Sequence, residues 1–334
     1  MQIFINSTIC EKGYLKFMKV AFIGAGRVAE VHYLALKDIP EIQLVGIYDN
    51  NKEQSAKRAA EWSVNIFDSV SNLLADSQID AILILTHVDS HIELAQACLQ
   101  AGKHVFIEKP VSVNSTEIRG LIKLAKLNNR VIMPGHNYAY IPEFTRMKKL
   151  LSNGSLGTVR AVFVNYVIQH PENIVKDYAG VIDEVMIHHT YLITSLLGVP
   201  RQVVAGAAET AWKNHPVEDQ GWMTFDYGIA TAHAFCTFGV DDISNSPWTF
   251  LIKVIGTEGT AVVDWRSSVF LRPLGTLPIA IVQYEESYTN ELLAFKLAIE
   301  NGRPLTSTME DAALAADILS AAQKSIKTCS FVKL

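Results

Sequence analysis

The stretch Val20-Ala21-Phe22-Ile23-Gly24-Ala25-Gly26-Arg27-Val28-Ala29 joins a short apolar run to the pattern G-x-G-x-x-A. The apolar run is typical of a buried strand, and a helical pattern follows from Arg27 to Lys37. Gly24 permits a tight turn, Gly26 lets the backbone approach a pyrophosphate, and Ala29 lets helix and strand pack closely. Amides at the start of such a helix attract phosphate. We therefore predict a dinucleotide site whose phosphate-binding residues are Gly24, Ala25, Gly26, Arg27 and Val28.

An acidic residue ends the second predicted strand, Ile42–Tyr48, about twenty residues after the glycines. Asp49 can accept hydrogen bonds from both hydroxyls of an adenosine ribose, and it would repel a 2′-phosphate. Asn50 follows it, not an arginine. The sequence therefore favours NAD over NADP, with Asp49 and Asn50 at the ribose. NADP stays open because Lys52 and Arg58 are close in sequence.

The pattern of strands changes about Asn137. Before it, continuous apolar strands such as Ala81–Leu85 alternate with helices, which predicts a doubly wound parallel sheet covered on both faces. After it, strands such as Val159–Val167 alternate polar and apolar residues and have short connections. We predict an α/β N-terminal Rossmann domain with a parallel sheet. An α+β C-terminal domain with a mostly antiparallel, open-faced sheet follows it.

These patterns divide the chain into three parts. Residues 18–137 form the predicted nucleotide-binding domain, and residues 138–334 form the predicted domain for substrate binding and oligomerisation. Residues 1–17 have neither the basic start nor the cleavage site of a secretory signal. We interpret them as an extension that precedes a first strand beginning at Met18.

Composition excludes several classes of protein. The formal net charge of −5 gives no basic footprint for nucleic acid. No run approaches the roughly 18 apolar residues that span a bilayer. The four cysteines are far apart and form no CxxC pair, which favours reduced thiols in a cytoplasmic protein. We predict no metal site and no membrane or nucleic-acid partner.

Candidate site residues follow the predicted parallel strands. Glu108-Lys109-Pro110 comes directly after the apolar run Val105–Ile107, at the edge of the sheet where ligands bind in open α/β sheets. Thr86 and His87 follow another strand of the same sheet. His91 lies on the next helix, where it either orients that loop or simply lies at the helix start without a ligand. We predict that the cofactor contacts Thr86, His87, His91, Glu108, Lys109 and Asn137.

A second group lies in Asp183-Glu184-Val185-Met186-Ile187-His188-His189. Glu184 and His188 are four residues apart, so a helix would place them on one face. A carboxylate there could hydrogen-bond one imidazole nitrogen, set its tautomer and raise its basicity. His188 is then a candidate general base, although such a pair is more often structural. His189 points away from this face and is expected to pack.

At these residues the chain resembles the glucose-fructose oxidoreductase / inositol dehydrogenase / MocA family, from Met18 onward. Four elements carry the resemblance: Gly24 to Ala29; Gly102-Lys103-His104-Val105 running into Glu108-Lys109-Pro110; the helix ending His188…Leu196-Leu197-Gly198; and Tyr288 to Arg303 with its Asn-Gly-Arg-Pro exit. The resemblance implies NAD or NADP bound between the two domains. It also implies that Lys109 and His188 act on a sugar, polyol or related hydroxyl, in a homodimer or homotetramer formed through the open sheet.

Three positions depart from the family pattern. Thr86-His87 stands where the family commonly has Thr-Pro. Glu184 replaces the usual aspartate, unless Asp183 takes that role. The segment from Asn137 to Pro142 lacks the arginine of Asn-x-Arg-x-x-Pro. We predict a substrate pocket formed by His136, Tyr138 and Tyr140. Because this pocket lacks the arginine, it argues against a strongly anionic substrate. Simple packing at the domain joint is the alternative for the two tyrosines.

The expected reaction places a hydroxyl between Lys109 and His188. His188 takes the hydroxyl proton while hydride leaves the carbon, and Lys109 stabilises the charge on oxygen. Glu184 completes this catalytic group. The reverse assignment, with Lys109 as base, stays open. Two other functions also remain: a non-catalytic NAD(P)-binding regulator of the same fold, and an enzyme that uses tightly bound NAD for a transient oxidation.

Overall fold

The computed structural model describes residues 17–175, 178–211, 217–242, 248–264 and 282–334. Of the extension expected over residues 1–17, all but Phe17 lies outside these ranges. So does Cys10, while the cysteines at 98, 236 and 329 are free thiols.

The first sheet contains six parallel strands in the order β3-β2-β1-β4-β5-β6. This is the strand order of a Rossmann fold. The strands are β1 (Met18–Ile23), β2 (Ile42–Tyr48), β3 (Asn65–Ile66), β4 (Ala81–Ile84), β5 (His104–Ile107) and β6 (Ile132–Pro134). All four residues of β4 are buried, as expected for a sheet covered on both faces. The predicted parallel sheet is confirmed.

Helices connect these strands. They are α1 (Arg27–Leu36), α2 (Lys52–Trp62), α3 (Val70–Ala75), α4 (His91–Gln100) and α5 (Ser115–Leu127). Side chains at two helix starts explain where those helices begin: Asn51 caps α2 and Asn114 caps α5, each accepting a bond from a first-turn amide. The sequence analysis did not predict β3 or α3. Both are too short to show a hydrophobic period.

The described part of the second sheet has seven strands in the order β12-β11-β7-β10-β9-β8-β13. The strands are β7 (Val159–Val167), β8 (Gln202–Ala208), β9 (Gln220–Asp226), β10 (Thr231–Thr237), β11 (Thr249–Gly256), β12 (Thr260–Asp264) and β13 (Val332–Lys333). Among the described strand pairs only β7–β10 is parallel, so the sheet is mostly antiparallel as predicted. Burial alternates along β7 and β11, which leaves one face of the sheet open.

Five further helices accompany the second sheet. They are α6 (Pro142–Ser152), α7 (Glu172–Val175), α8 (Ile187–Leu197), α9 (Val282–Asn301) and α10 (Met309–Thr328). A π-helical turn, Ile182–Met186, leads into α8. The start of α10 packs in the core of the first sheet, where Met309 and Ala312 are buried. The predicted domain boundary at residue 137 falls between β6 and α6, and α10 returns across it.

Candidate active site

Lys109 lies immediately beyond β5, at the carboxyl edge of the first sheet. Its Nζ donates to the carbonyl oxygen of Glu184 at 3.1 Å and lies 3.2 Å from Glu184 Oε2. Burial alone would lower the pKa of Lys109, but the charges of Glu184 and Glu108 outweigh it and raise the pKa above the ordinary value. The residue is therefore an ammonium ion near neutral pH.

His188 lies in the first turn of α8. Its Nδ1 is 2.7 Å from Tyr191 Oη, and Nε2 has no hydrogen-bond partner among the described residues. Burial and the positive charge of Lys109 lower the pKa of His188 well below its ordinary value. The imidazole is therefore neutral near neutral pH, with one nitrogen available to a ligand.

The hydrogen bond expected between Glu184 and His188 is absent from the described structure. Glu184 lies in the π-helical turn and His188 in the α-helix that follows it. Both side chains line the same cavity, so the two residues still share one face of this segment. The carboxylate binds Lys109, and Tyr191 contacts the imidazole. That part of the prediction is wrong.

Lys109 and His188 line one cavity of about 390 Å³ between the two sheets. Its other described lining residues from the first-sheet side are Arg27, Val28, Val31, Thr86 and Glu108. Those that come after β6 are Asn137, Tyr138, Tyr166, Ile168, His170, Tyr178, Glu184, Val185, Trp248, Tyr284 and Tyr288. The structure therefore brings the amine and the imidazole to a shared cleft with largely aromatic walls.

Glu108 is buried beneath Lys109. Its Oε1 is 2.7 Å from His32 Nε2, and its Oε2 accepts the backbone amide of Lys109 at 2.9 Å. Burial alone would raise the pKa of Glu108, but the bond to His32 and the charge of Lys109 bring it below the ordinary value. Glu108 therefore adds a negative charge behind the lysine and fixes its backbone.

The three predicted pocket residues after β6 do not all line the cavity. Tyr138 lines the cavity, and its ring lies 4.6 Å from that of His188. His136 and Tyr140 are buried and do not belong to the described lining. His136 Nδ1 contacts Ser307 Oγ at 2.7 Å, and Tyr140 Oη accepts the Ser307 amide at 3.3 Å. Both residues join the segment before α10 to the core, because a buried polar atom needs a partner.

The predicted phosphate-binding turn has the required shape. Gly24 has a φ of +107°, and a Cβ there would lie 2.5 Å from the carbonyl oxygen of Leu85. A Cβ on Gly26 would meet no described atom within 4 Å, so open space lies over this turn. Gly26 precedes α1 and offers no side chain to cap it. The first-turn amides are therefore open to an anion.

The remaining residues of this motif differ in direction. Ala25 is buried, and its amide donates to Asp49 Oδ2 at 2.7 Å. Arg27 and Val28 line the 390 Å³ cavity, and Arg27 Nη2 lies 3.4 Å from Tyr178 Oη. Arg27 therefore reaches toward the second sheet, beyond the phosphate position predicted for it.

A second cavity, of about 540 Å³, continues from the glycine turn along the sheet edge. Asp49, Asn50, Thr86 and His87 line it together with Gly24 and Gly26. Asp49 Oδ1 accepts the amide of Asn51 at 2.7 Å, which fixes the carboxylate at the strand end. Because Thr86 lines both cavities, the two are neighbours along one cleft. This arrangement fits a dinucleotide with its adenosine at Asp49 and its reactive ring near Lys109.

His91 does not line either of these cavities. It is buried, its Nδ1 lies 2.9 Å from the carbonyl oxygen of Pro110, and its Nε2 lies 3.0 Å from that of Thr86. Burial lowers its pKa. The residue therefore holds the two loops together, which is the orienting role considered for it, and offers no nitrogen to a cofactor.

Sequence reasoning missed several aromatic lining residues. Tyr284 and Tyr288 are four apart on α9, and their hydroxyl groups lie 2.9 Å from each other. That spacing puts two phenols on one helix face and could have been recognised. His170 and Tyr178 lie on an irregular segment, where no periodic pattern predicts which way a side chain points.

Within the described ranges, no group of three or more His, Cys, Asp or Glu is arranged to hold a metal ion. None of the described helices has the length and apolar content needed to cross a bilayer.

Comparison with known proteins agrees with this architecture. Residues 18–136 match the model for the oxidoreductase family with an NAD-binding Rossmann fold, and residues 144–262 match the GFO/IDH/MocA C-terminal domain. The chain is thus a two-part NAD(P)-dependent oxidoreductase by fold and site. It belongs to the GFO/IDH/MocA family, which confirms the resemblance.

Two relatives show the range of this similarity. The inositol 2-dehydrogenase of Rhizobium meliloti is 26% identical over 327 residues, which is 92% of this chain and 97% of that protein. The UDP-N-acetylglucosamine 3-dehydrogenase of Acidithiobacillus ferrooxidans is 30% identical over 265 residues, covering 78% of this chain and 79% of its own.

Solved structures share the fold. The myo-inositol 2-dehydrogenase of Lactobacillus plantarum superposes with a TM-score of 0.83 at 21% identity, covering 96% of this chain and 100% of that one. GenD2 from gentamicin A biosynthesis, in complex with NAD, gives a TM-score of 0.86 at 22% identity, with 98% and 99% covered.

Proposed function

We propose that this protein oxidises a hydroxyl-bearing carbon of a sugar, polyol or related small molecule, with NAD as hydride acceptor. One observation carries the proposal: Lys109, beyond β5, and His188, on α8, line the same cavity. An ammonium donor and a neutral imidazole acceptor can supply the charge stabilisation and the proton acceptor that dehydrogenation of an alcohol needs.

The electrostatics favour one assignment of roles. Because Glu184 and Glu108 keep the pKa of Lys109 high, the ammonium can donate to the substrate oxygen and stabilise its developing charge. Because the pKa of His188 is depressed, its free Nε2 can accept the hydroxyl proton. The reverse assignment would require Lys109 to lose its proton between two carboxylates.

The cofactor site fits NAD. Gly26 and the first turn of α1 would hold the pyrophosphate, and Asp49 would accept the ribose hydroxyls. NAD supplies the electrophilic carbon that takes the hydride. The charge of Asp49 supports a preference for NAD over NADP.

The walls of the cavity support this substrate class. Tyr138, Tyr284 and Tyr288 offer ring faces and hydroxyl groups to a polyhydroxylated ligand. Relatives named for inositol and for an N-acetylglucosamine nucleotide agree with such a ligand. Arg27 adds a second cation to the described wall, so an acidic sugar belongs in the substrate panel beside neutral ones.

The open face of the second sheet supports a homodimer or homotetramer. Trp222 is 44% exposed on β9, and Phe163 stacks on His233 at 5.4 Å on the neighbouring strands. A sheet face that carries exposed aromatic side chains suits a second copy of the same surface. The free thiols of Cys98, Cys236 and Cys329 support a cytoplasmic location.

Absorbance at 340 nm, recorded with NAD and a panel of inositols, aldoses, amino sugars and sugar acids, tests this function. We expect a rise with at least one neutral polyol, and a rise about a hundredfold slower with the Lys109→Met variant. Cofactor that survives gel filtration without net NADH formation would favour transient oxidation instead. Binding of NAD with no turnover of any sugar would favour a regulator.

A further inference from the structure

The cavity that holds Lys109 and His188, here called the catalytic cavity, adjoins a larger one of about 590 Å³, here called the outer cavity. The walls of the outer cavity come from α1, from the segment that follows β7 and from the start of α9. Six described residues line both cavities: Arg27, Val31, Ile168, His170, Trp248 and Tyr284. Because they share these walls, the two cavities are parts of one cleft.

We propose that the outer cavity is a second substrate subsite, which takes an uncharged apolar group joined to the sugar or polyol beside Lys109. The inference rests on the proposed function, because it extends the substrate of that reaction. A free sugar would occupy the catalytic cavity alone. A glycoside with an aryl or alkyl group would occupy both cavities.

The junction of the two cavities is aromatic. Trp248 and Tyr284 meet edge to face there, with ring centroids 5.8 Å apart. The hydroxyl group of Tyr284 lies 2.9 Å from that of Tyr288, which fixes the phenol on α9. His170 also lines both cavities, and its ring stacks on Phe238 with centroids 6.1 Å apart. A ligand can therefore extend from one cavity to the other along aromatic walls that are held by their own contacts.

Most of the surface that lines the outer cavity is apolar. Leu34 contributes from α1, and Pro171 and Ile174 contribute from the segment after β7. Leu34 is 52% exposed, yet it forms part of a concave wall and is not an isolated surface leucine. The volume of the cavity lies within the range of about 300 to 1,000 Å³ that is common for small-molecule sites. An apolar group bound here would be removed from water, which favours its binding.

The charges of the outer cavity argue against an anionic group. Asp38 and Glu285 are the described ionisable residues that line this cavity and not the catalytic one, and both are acidic. A diphosphate or a carboxylate would meet two like charges there. Arg27 lies at the junction, but its Nη2 is 3.4 Å from Tyr178 Oη, which belongs to the wall of the catalytic cavity. The outer cavity therefore suits an uncharged group.

The test compares phenyl β-D-glucopyranoside with methyl β-D-glucopyranoside, which carry the same sugar and differ in the apolar group. Isothermal titration calorimetry on protein saturated with NADH measures both Kd values without turnover. We expect the Kd of the phenyl glycoside to be about tenfold or more lower, because its ring is buried in the outer cavity. Uridine diphosphate should not displace it.

Leu34→Asp tests the location. The variant puts a charged side chain in the apolar wall, so we expect the ratio of the two Kd values to fall close to one. Leu127→Asp is the matched control, because Leu127 is 84% exposed at the end of α5 and outside the walls of both cavities. Its ratio should match wild type.

Three results would overturn the inference: equal Kd values in the wild type, a ratio that Leu34→Asp leaves unchanged or lowers no more than Leu127→Asp, or tighter binding of uridine diphosphate than of the phenyl glycoside. The wild-type ratio decides even where a variant does not fold. Absence of turnover with every sugar would instead count against the proposed function, since these titrations need no turnover.

Discussion

Glu184 Oε2 lies 3.2 Å from Lys109 Nζ, and the carbonyl oxygen of Glu184 accepts from the same ammonium at 3.1 Å. One acidic residue thus holds the amine twice, and it does so from the π-helical turn that precedes α8. Glu184 is close to His188 in sequence, but in the structure its carboxylate contacts Lys109. The π-helical turn therefore positions the carboxylate that contacts Lys109.

Glu184→Gln should make Lys109 lose its proton more easily. Glu184 raises the pKa of Lys109, so its loss moves that pKa down. Activity that needs the ammonium is present below this pKa and falls as pH rises through it. The alkaline limb of kcat/KM should therefore move to lower pH in the variant.

The matched control is Asp183→Asn, which removes the neighbouring carboxylate. Asp183 lines a different cavity, near Ser112 and Lys327, and does not contact Lys109 in the described structure. Its pH profile should match wild type. An equal shift in both variants would show that the overall charge near the site, and not the contact with Lys109, determines the pH at which kcat/KM falls.

Lys109→Met tests the donor itself. The variant keeps the length of the side chain but removes the positive charge from the cavity. We expect kcat to fall about a hundredfold, as for loss of one preorganised donor, while NAD still binds. Stopped-flow or steady-state turnover measures the first effect, and quenching of protein fluorescence by NADH measures the second. Turnover near the wild-type value would contradict the proposed role.

The sequence was sufficient to predict the first sheet because its strands are continuous apolar runs with helices between them. Ile42–Tyr48 was predicted with its observed bounds. The glycine turn was predictable for a local reason, since Gly24 occupies a backbone conformation that other residues avoid.

The errors in the site arise from long-range geometry. Glu184 binds Lys109, which is 75 residues away in the chain, and not the nearby His188. His136 and Tyr140 were placed correctly beyond β6, but their directions depend on Ser307, which is far away in the chain. Contacts between distant segments cannot be obtained from spacing.

Trp222→Lys should disrupt assembly through the second sheet. The residue is exposed on the open face, so a lysine there does not disturb the buried side of β9. In a self-complementary interface, one substitution places two like charges close together. Light scattering should show a smaller species for the variant. Ile229→Lys, an exposed apolar position in the turn between β9 and β10, serves as control and should leave the mass unchanged.

Asp49→Asn should relax cofactor choice. The single side-chain oxygen of asparagine can still accept the Ala25 amide that Asp49 Oδ2 accepts at 2.7 Å, while the bond from the Asn51 amide to Oδ1 is lost. The negative charge that repels a 2′-phosphate is lost. We expect kcat/KM for NAD to fall and that for NADP to rise, changing their ratio about tenfold or more. Asp68→Asn, which lies outside the described cavity walls, should leave the ratio as it is. An unchanged ratio in Asp49→Asn would remove the charge argument for NAD.

Gly24→Ala and Gly26→Ala separate folding from cofactor binding within one motif. At Gly24 the added methyl group meets the carbonyl oxygen of Leu85 at 2.5 Å and the backbone has a positive φ, so we expect a loss of about 2 to 3 kcal/mol of stability. At Gly26 the methyl group meets no described atom, and the backbone is extended. Stability should there stay close to wild type, while the space over the first turn of α1 is filled. Chemical denaturation and NAD titration of both variants measure the two effects. Because the phosphate would occupy that space, Gly26→Ala should lose NAD affinity at unchanged stability. If it bound NAD normally, the pyrophosphate could not lie over this turn.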